Sequence, residues 1–160
     1  MQAGDHTRIA DLPGWQRLAL AASAHPHWPA LAETLGPLNV PACIFHGDFA
    51  PWNLRGAGAR WIAVDWERGE PRGVPGWDAL HYVIQRAVLV ERRSTRELIE
   101  LVERVLRSRE FADYLDAAGL AGRGGGIVWS YLLYACDVLR PTEGLPALRA
   151  LLDAWAARAD

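Results

Sequence analysis

Four residues within a twenty-residue window carry groups that could act together: His46, Asp48, Asn53 and Asp65. Two carboxylates and one amide oxygen are hard donors. Such donors suit Mg²⁺, which keeps several waters and takes one or two carboxylates plus substrate phosphates. A carboxylate not committed to metal can accept the proton of an attacking hydroxyl. For these groups to converge, the chain must reverse between Asn53 and Asp65. Asn53-Leu54-Arg55 and Arg60-Trp61-Ile62-Ala63-Val64-Asp65 flank Gly56-Ala57-Gly58-Ala59. Two apolar runs around a glycine-rich turn predict a β-hairpin, which folds Asp65 back beside the loop carrying Asp48 and Asn53. The bland alternative is a turn in which Asp48 caps a short helix and His46 is a satisfied buried histidine.

The surrounding elements are mostly helical. Asp11-Leu12-Pro13-Gly14 reads as a helix start, followed by Trp15, Leu18, Ala19 and Ala22 at helical spacing. A second short helix is expected from Pro29 to Leu35, ended by Gly36-Pro37. Ala42-Cys43-Ile44-Phe45 reads as a short strand running into His46. After the hairpin, Trp77, Leu80, Val83, Ile84 and Ala87 mark one helix. Ser94-Thr95-Arg96-Glu97 has capping-box spacing for the next. Further helices fit Arg109–Ala118, Ile127–Leu139 and Leu145–Arg158, with Gly122-Arg123-Gly124-Gly125-Gly126 as a flexible connector. The expected fold class is α+β, mostly helical, in one domain over residues 1–160, with a small β-hairpin at the site.

Composition narrows the function classes. The chain is 51% hydrophobic with a net charge of -2, so it can bury a core and carries no bulk attraction for nucleic acid. No apolar run reaches the ~18 residues of a membrane span, and the polar N-terminus has no signal-peptide pattern. A cytoplasmic location is expected. All 17 basic residues are Arg, so no mechanism that needs a lysine is completed within these residues. Cys43 and Cys136 sit in apolar runs and read as small buried hydrophobes, with a metal pair or a disulfide as alternatives.

The ordered pattern His-x-Asp-x-x-x-x-Asn, hairpin, Asp resembles the catalytic core of the aminoglycoside phosphotransferase and choline kinase group, distant relatives of the protein kinases. His46-Gly47-Asp48-Phe49-Ala50-Pro51-Trp52-Asn53 is similar to that family's catalytic loop, and Val64-Asp65-Trp66-Glu67 to its metal-binding strand end. Gly73-Val74-Pro75-Gly76-Trp77-Asp78-Ala79-Leu80 is similar to the segment that follows. The resemblance covers about Val40 to Tyr82, and it implies the C-terminal lobe of a protein-kinase-like fold. It implies Asp48 as catalytic base or orienter of the substrate hydroxyl. It implies Asn53 and Asp65 as ligands of a Mg²⁺ that meets the phosphates of ATP or GTP. His46 would belong to the catalytic set by bracing the loop, and Asp78 would hold the loop or cap the following helix. Acidic groups on late helices bind cationic substrates in such enzymes, which makes Asp113, Asp116 and Asp137 loose candidates. The chain departs from the pattern at Ala50, where the family often has Lys or His; Arg55 and Arg68 are the substitutes to look for. It departs again in the 45 residues before His46, which read as helical and hold no counterpart of the family's nucleotide-binding lobe.

The expected function is therefore transfer of a γ-phosphate from a nucleoside triphosphate to a hydroxyl of an aminoglycoside-, choline- or sugar-like small molecule. The expected partners are that acceptor and a nucleotide-binding lobe or partner chain, with neither nucleic acid nor membrane. The alternative is a non-catalytic lobe or interaction module. A metal-dependent hydrolase using His46, Asp48 and Asp65 ranks last, because no second set of ligands is evident.

Overall fold

In the computed structural model, residues 6–58 and 60–158 are described; the expectations that touch residues 1–5 and the turn residue Ala59 lie outside them. The chain opens with β1 (His6–Arg8), which pairs antiparallel with β2 (Asn39–Pro41) in the register His6↔Pro41. Between them lie α1 (Pro13–Ala22) and α2 (Trp28–Leu35). Pro13 sits in the first turn of α1, where its missing N–H costs nothing. Helix α1 buries Trp15, Leu18 and Ala22, the predicted stripe, and Trp15 packs on Trp28 of α2 with ring centroids 5.3 Å apart.

The hairpin forms as predicted. β3 (Leu54–Ala57) pairs antiparallel with β4 (Arg60–Ala63), with Leu54 opposite Ala63. The helical body follows: α3 (Trp77–Leu89), α4 (Thr95–Arg107), α5 (Arg109–Ala117), α6 (Gly124–Tyr134) and α7 (Leu145–Ala156). Both halves of the Ser94/Glu97 capping box are present at the start of α4. The architecture is α+β, with helices dominating two small antiparallel sheets. Among the described residues, no helix is long and apolar enough to cross a membrane.

Three expectations need correction. Ala42–Phe45 is extended but is not a strand of a sheet. Its neighbours come from an irregular segment, so it makes one antiparallel rung, Phe45 with Glu70, plus a bond from Gly73 N to Cys43 O of 2.8 Å. The regular pairing lies just upstream, where Asn39–Pro41 finds β1. The glycine run is not a connector either, because Gly124-Gly125-Gly126 forms the first turn of α6. The missing side chains permit close packing there. A Cβ on Gly124 would stand 2.8 Å from Leu106 Cδ2, and one on Gly126 3.3 Å from Leu35 Cδ1. The expected helix to Leu139 also changes character after Tyr134. Its last turn, Ala135–Leu139, is a π-helix, closed by Arg140 at φ 46°.

The core lies where α1, α3 and α6 meet. Trp77 is fully buried, donates from Nε1 to Ser130 Oγ at 3.0 Å and packs on Tyr134 at 4.4 Å. Because Trp77 begins α3, this anchor fixes the helix end that carries Asp78. Cys43 and Cys136 are free thiols.

Candidate functional site

The loop from His46 to Asn53 is held from three sides. Beneath it, the Asp78 carboxylate accepts from His46 N at 2.7 Å and from Gly47 N at 3.2 Å. Of the two roles expected for Asp78, the side chain takes the loop brace; α3 has no side-chain cap. Gly47 sits at φ 80°, and a Cβ there would stand 2.8 Å from Arg68 O, so the turn requires glycine on both counts.

On the second side, the His46 ring ties the loop to the end of β4. Nδ1 accepts from Asp48 N at 3.3 Å, which leaves the proton on Nε2 to be donated to Val64 O at 2.9 Å. Trp66 packs against the ring at 4.5 Å. Both ring nitrogens thus serve the backbone, and neither is available to ligate a metal in the hydrolase manner.

On the third side, Asn53 closes the loop on itself. Its Nδ2 donates to Asp48 O at 2.8 Å and to Asp48 Oδ2 at 3.1 Å. Val64 N donates to Asn53 O at 2.9 Å, continuing the hairpin pairing by one residue. Asp65, the next residue, is therefore brought alongside Asn53 as the hairpin predicts. It is exposed and left-handed, at φ 66°. A non-glycine residue there stores strain of about 1 kcal/mol, which aspartate tolerates better than most.

The carboxylates of the loop and of its brace are pushed in opposite directions. The hydrogen bond from His81 holds the Asp48 carboxyl below the usual range, helped by Asn53 and the charge of Arg68 and opposed by burial. Burial pushes the Asp78 carboxyl up despite the two amides it accepts from. Paired carboxyls with diverging environments mark divided roles. Asp48 stays ionised and open to a proton donor, while Asp78 is walled in as a brace.

Asp48 opens on a cleft of about 270 Å³, shared with Trp52, Glu67, Arg68, His81 and Glu143. The hollow of about 380 Å³ beside Trp129 and Trp155 touches none of the loop, whereas one of about 350 Å³ on its other side is lined by Gly47 with Arg17, Arg68 and Glu70. Of the two arginines considered as substitutes for the residue at Ala50, Arg68 reaches this cleft. Arg55 is turned back onto the carbonyls of Trp52 and Leu54. Asp113 and Asp137 are engaged instead with Arg109 and Arg149, and Asp116 lines a separate hollow. The carboxylates at the cleft rim are Glu67 and Glu143.

Sequence reasoning did not single out His81. Its Nε2 lies 3.0 Å from Asp48 Oδ1, and its Nδ1 lies 3.2 Å from the Tyr131 hydroxyl. One signal was available: His81 follows Asp78 by three residues on α3, so the two share a helix face.

The donor set fits Mg²⁺. Asn53 commits its amide nitrogen to Asp48 and keeps Oδ1 as its lone-pair donor. Asp65 adds an exposed carboxylate one residue beyond Val64, whose N–H donates to Asn53 O. No three His, Cys, Asp or Glu side chains cluster as a metal cage among the described residues. An ion held by Asn53 and Asp65 would therefore complete its shell with water and phosphate oxygens, as Mg²⁺ does. No family model matches the chain, and no match is found among curated proteins or solved structures.

Proposed function

We propose that this chain is the C-terminal lobe of a protein-kinase-like phosphotransferase, moving the γ-phosphate of ATP or GTP to a hydroxyl of a small molecule. One observation carries the reading. An ionised carboxylate at a cleft, Asp48, is hydrogen-bonded to an amide, Asn53, whose carbonyl the hairpin pairs with Val64 N, one residue before a second carboxylate, Asp65. Asn53 and Asp65 would hold Mg²⁺, which when bound would neutralise charge on the nucleotide phosphates. Asp48 accepts a hydrogen bond from the acceptor hydroxyl and takes its proton. The hydroxyl oxygen forms a bond to the γ-phosphorus as the bond to the bridging oxygen breaks, releasing the nucleoside diphosphate. Positioning and electrostatics supply most of the rate. Arg68, at the cleft, is the cation placed to meet the transferring group. A further lobe or partner chain would grip the nucleotide from the other side. The reducing cytoplasm is the proposed setting, where Cys43 and Cys136 remain thiols.

Calorimetry separates the roles. Mg²⁺-dependent ATP binding to the 160-residue chain is expected in the wild type. Asp65→Ala should remove it and Asp48→Ala should retain it. Binding that is indifferent to Mg²⁺, or equal in wild type and Asp65→Ala, would overturn the assignment.

A further inference from the structure

Behind Asp48 runs a chain of hydrogen bonds that the phosphotransferase reading does not require. Asp48 Oδ1 meets His81 Nε2 at 3.0 Å, and His81 Nδ1 meets the Tyr131 hydroxyl at 3.2 Å. The Gln85 side chain, one turn further along α3, acts on the Tyr131 hydroxyl. These groups are enclosed: His81 is 6% exposed, Gln85 3% and Tyr131 1%. Three polar side chains have been carried into an apolar core from two helices, α3 and α6. Burial of that kind is costly unless every member is satisfied.

The donors and acceptors run in one direction. An ionised carboxylate only accepts, so His81 Nε2 carries the proton. A neutral ring then has an accepting Nδ1, and the Tyr131 hydroxyl donates to it. With its hydrogen spent on His81, the Tyr131 oxygen accepts from the Gln85 amide. The sequence Gln85 → Tyr131 → His81 → Asp48 ends on the carboxylate that faces the cleft. Asn53 holds the other carboxylate oxygen at 3.1 Å, so the two donors grip Asp48 from both sides.

We propose that His81 is the positioning residue for Asp48. Tyr131 and Gln85 lock it as the Nε2–H tautomer, and it fixes the plane of the carboxylate that receives the acceptor hydroxyl. The inference rests on the phosphotransferase reading for that last role, but the locking itself is a property of the folded chain. It explains why α3 spends a buried position on histidine three residues after its brace, Asp78. A residue that only filled space there would be apolar.

The test reads the tautomer and the carboxylate without needing turnover. In long-range nitrogen–proton NMR spectra, His81 should show a protonated Nε2 and a bare Nδ1. The Asn53 side-chain NH₂ shares the Asp48 carboxylate and reports its orientation. His81→Leu should shift and broaden the Asn53 pair, while the Trp77 indole signal stays in place. His81→Gln, whose amide nitrogen reaches about as far as Nε2, should restore the pair. Tyr131→Phe, which leaves Nδ1 without its donor, should broaden the His81 ring signals and the Asn53 pair. A wild-type ring protonated on Nδ1 overturns the proposal, as does an unchanged Asn53 pair in a folded His81→Leu. Should His81→Leu not fold, unbroadened His81 ring signals and an unaltered Asn53 pair in Tyr131→Phe are the contrary result. In the transfer assay, His81→Leu should lower kcat roughly 10–100-fold at unchanged KM, the usual cost of removing an orienting partner. A wild type that stays transfer-inactive when completed by a nucleotide-binding lobe, with these signals intact, would sink the phosphotransferase reading and leave the locking of Asp48 standing.

Discussion

The Asp78 carboxylate accepts from two amides, His46 N and Gly47 N, in residues that are themselves buried. Truncation to Asp78→Ala strands both donors, and an unsatisfied buried group costs about 1–3 kcal/mol. Urea unfolding should show a loss of that order or more. The pH dependence has a definite sign. Burial raises the folded pKa of Asp78 above its ordinary value of 3.8, so the native state holds the proton more tightly than the unfolded chain. The linked stability is fully present below about 3.8 and is lost as pH rises through the raised folded value. The gap between wild type and Asp78→Ala should therefore narrow as pH climbs through that window. A gap that widens over the same range would contradict the burial argument. At this scale, the Asp48–Asn53 contact and the return of the chain to Asn53 at Val64 were legible, because spacing around a predicted hairpin already implies them. His81 was not, because its partner lies 33 residues away. Only after Asp78 docks α3 under the loop does the next helical turn bring His81 to Asp48.

Elements with strong local signals were legible. The hairpin announced itself by glycine between apolar runs, α4 by its capping box, and α1 by a proline start and a helical stripe. The β1–β2 pair was not, since three-residue strands are too short to show a period of two. The first turn of α6 was missed for a different reason. Glycine weakens a helix by about 1 kcal/mol relative to alanine, yet packing against Leu35 and Leu106 favours the smallest side chain there. Propensity gave way to tertiary fit. The loop depends on glycine more strictly at Gly47, which needs both a positive φ and clearance from Arg68 O. Gly47→Ala should cost about 1–3 kcal/mol of stability. It should also shift the backbone amides of residues 46–53 in NMR spectra. Wild-type stability together with unshifted loop amides would show that the turn tolerates a side chain.

Across the whole molecule, the site is a thin layer on a helical base. Trp77 joins α3 to α6 through Ser130 and Tyr134, and the same helix presents Asp78 to the loop and His81 to Asp48. The base is thus continuous with the chemistry. The buried side of Asp48 is set by the core, whereas Asn53 and Asp65 are set by the hairpin. The central claim is that Asp48 at this junction receives the proton of a hydroxyl during phosphate transfer. Phosphorus NMR of the chain completed by a nucleotide-binding lobe, with MgATP and a panel of amino alcohols, aminoglycosides and sugars, tests it most directly. The wild type should convert the γ-phosphate signal into a phosphomonoester, and Asp48→Asn should slow that conversion by roughly 10²–10⁴-fold, the range for a lost proton acceptor. No phosphomonoester from the wild type, or equal rates in the two proteins, would contradict the account.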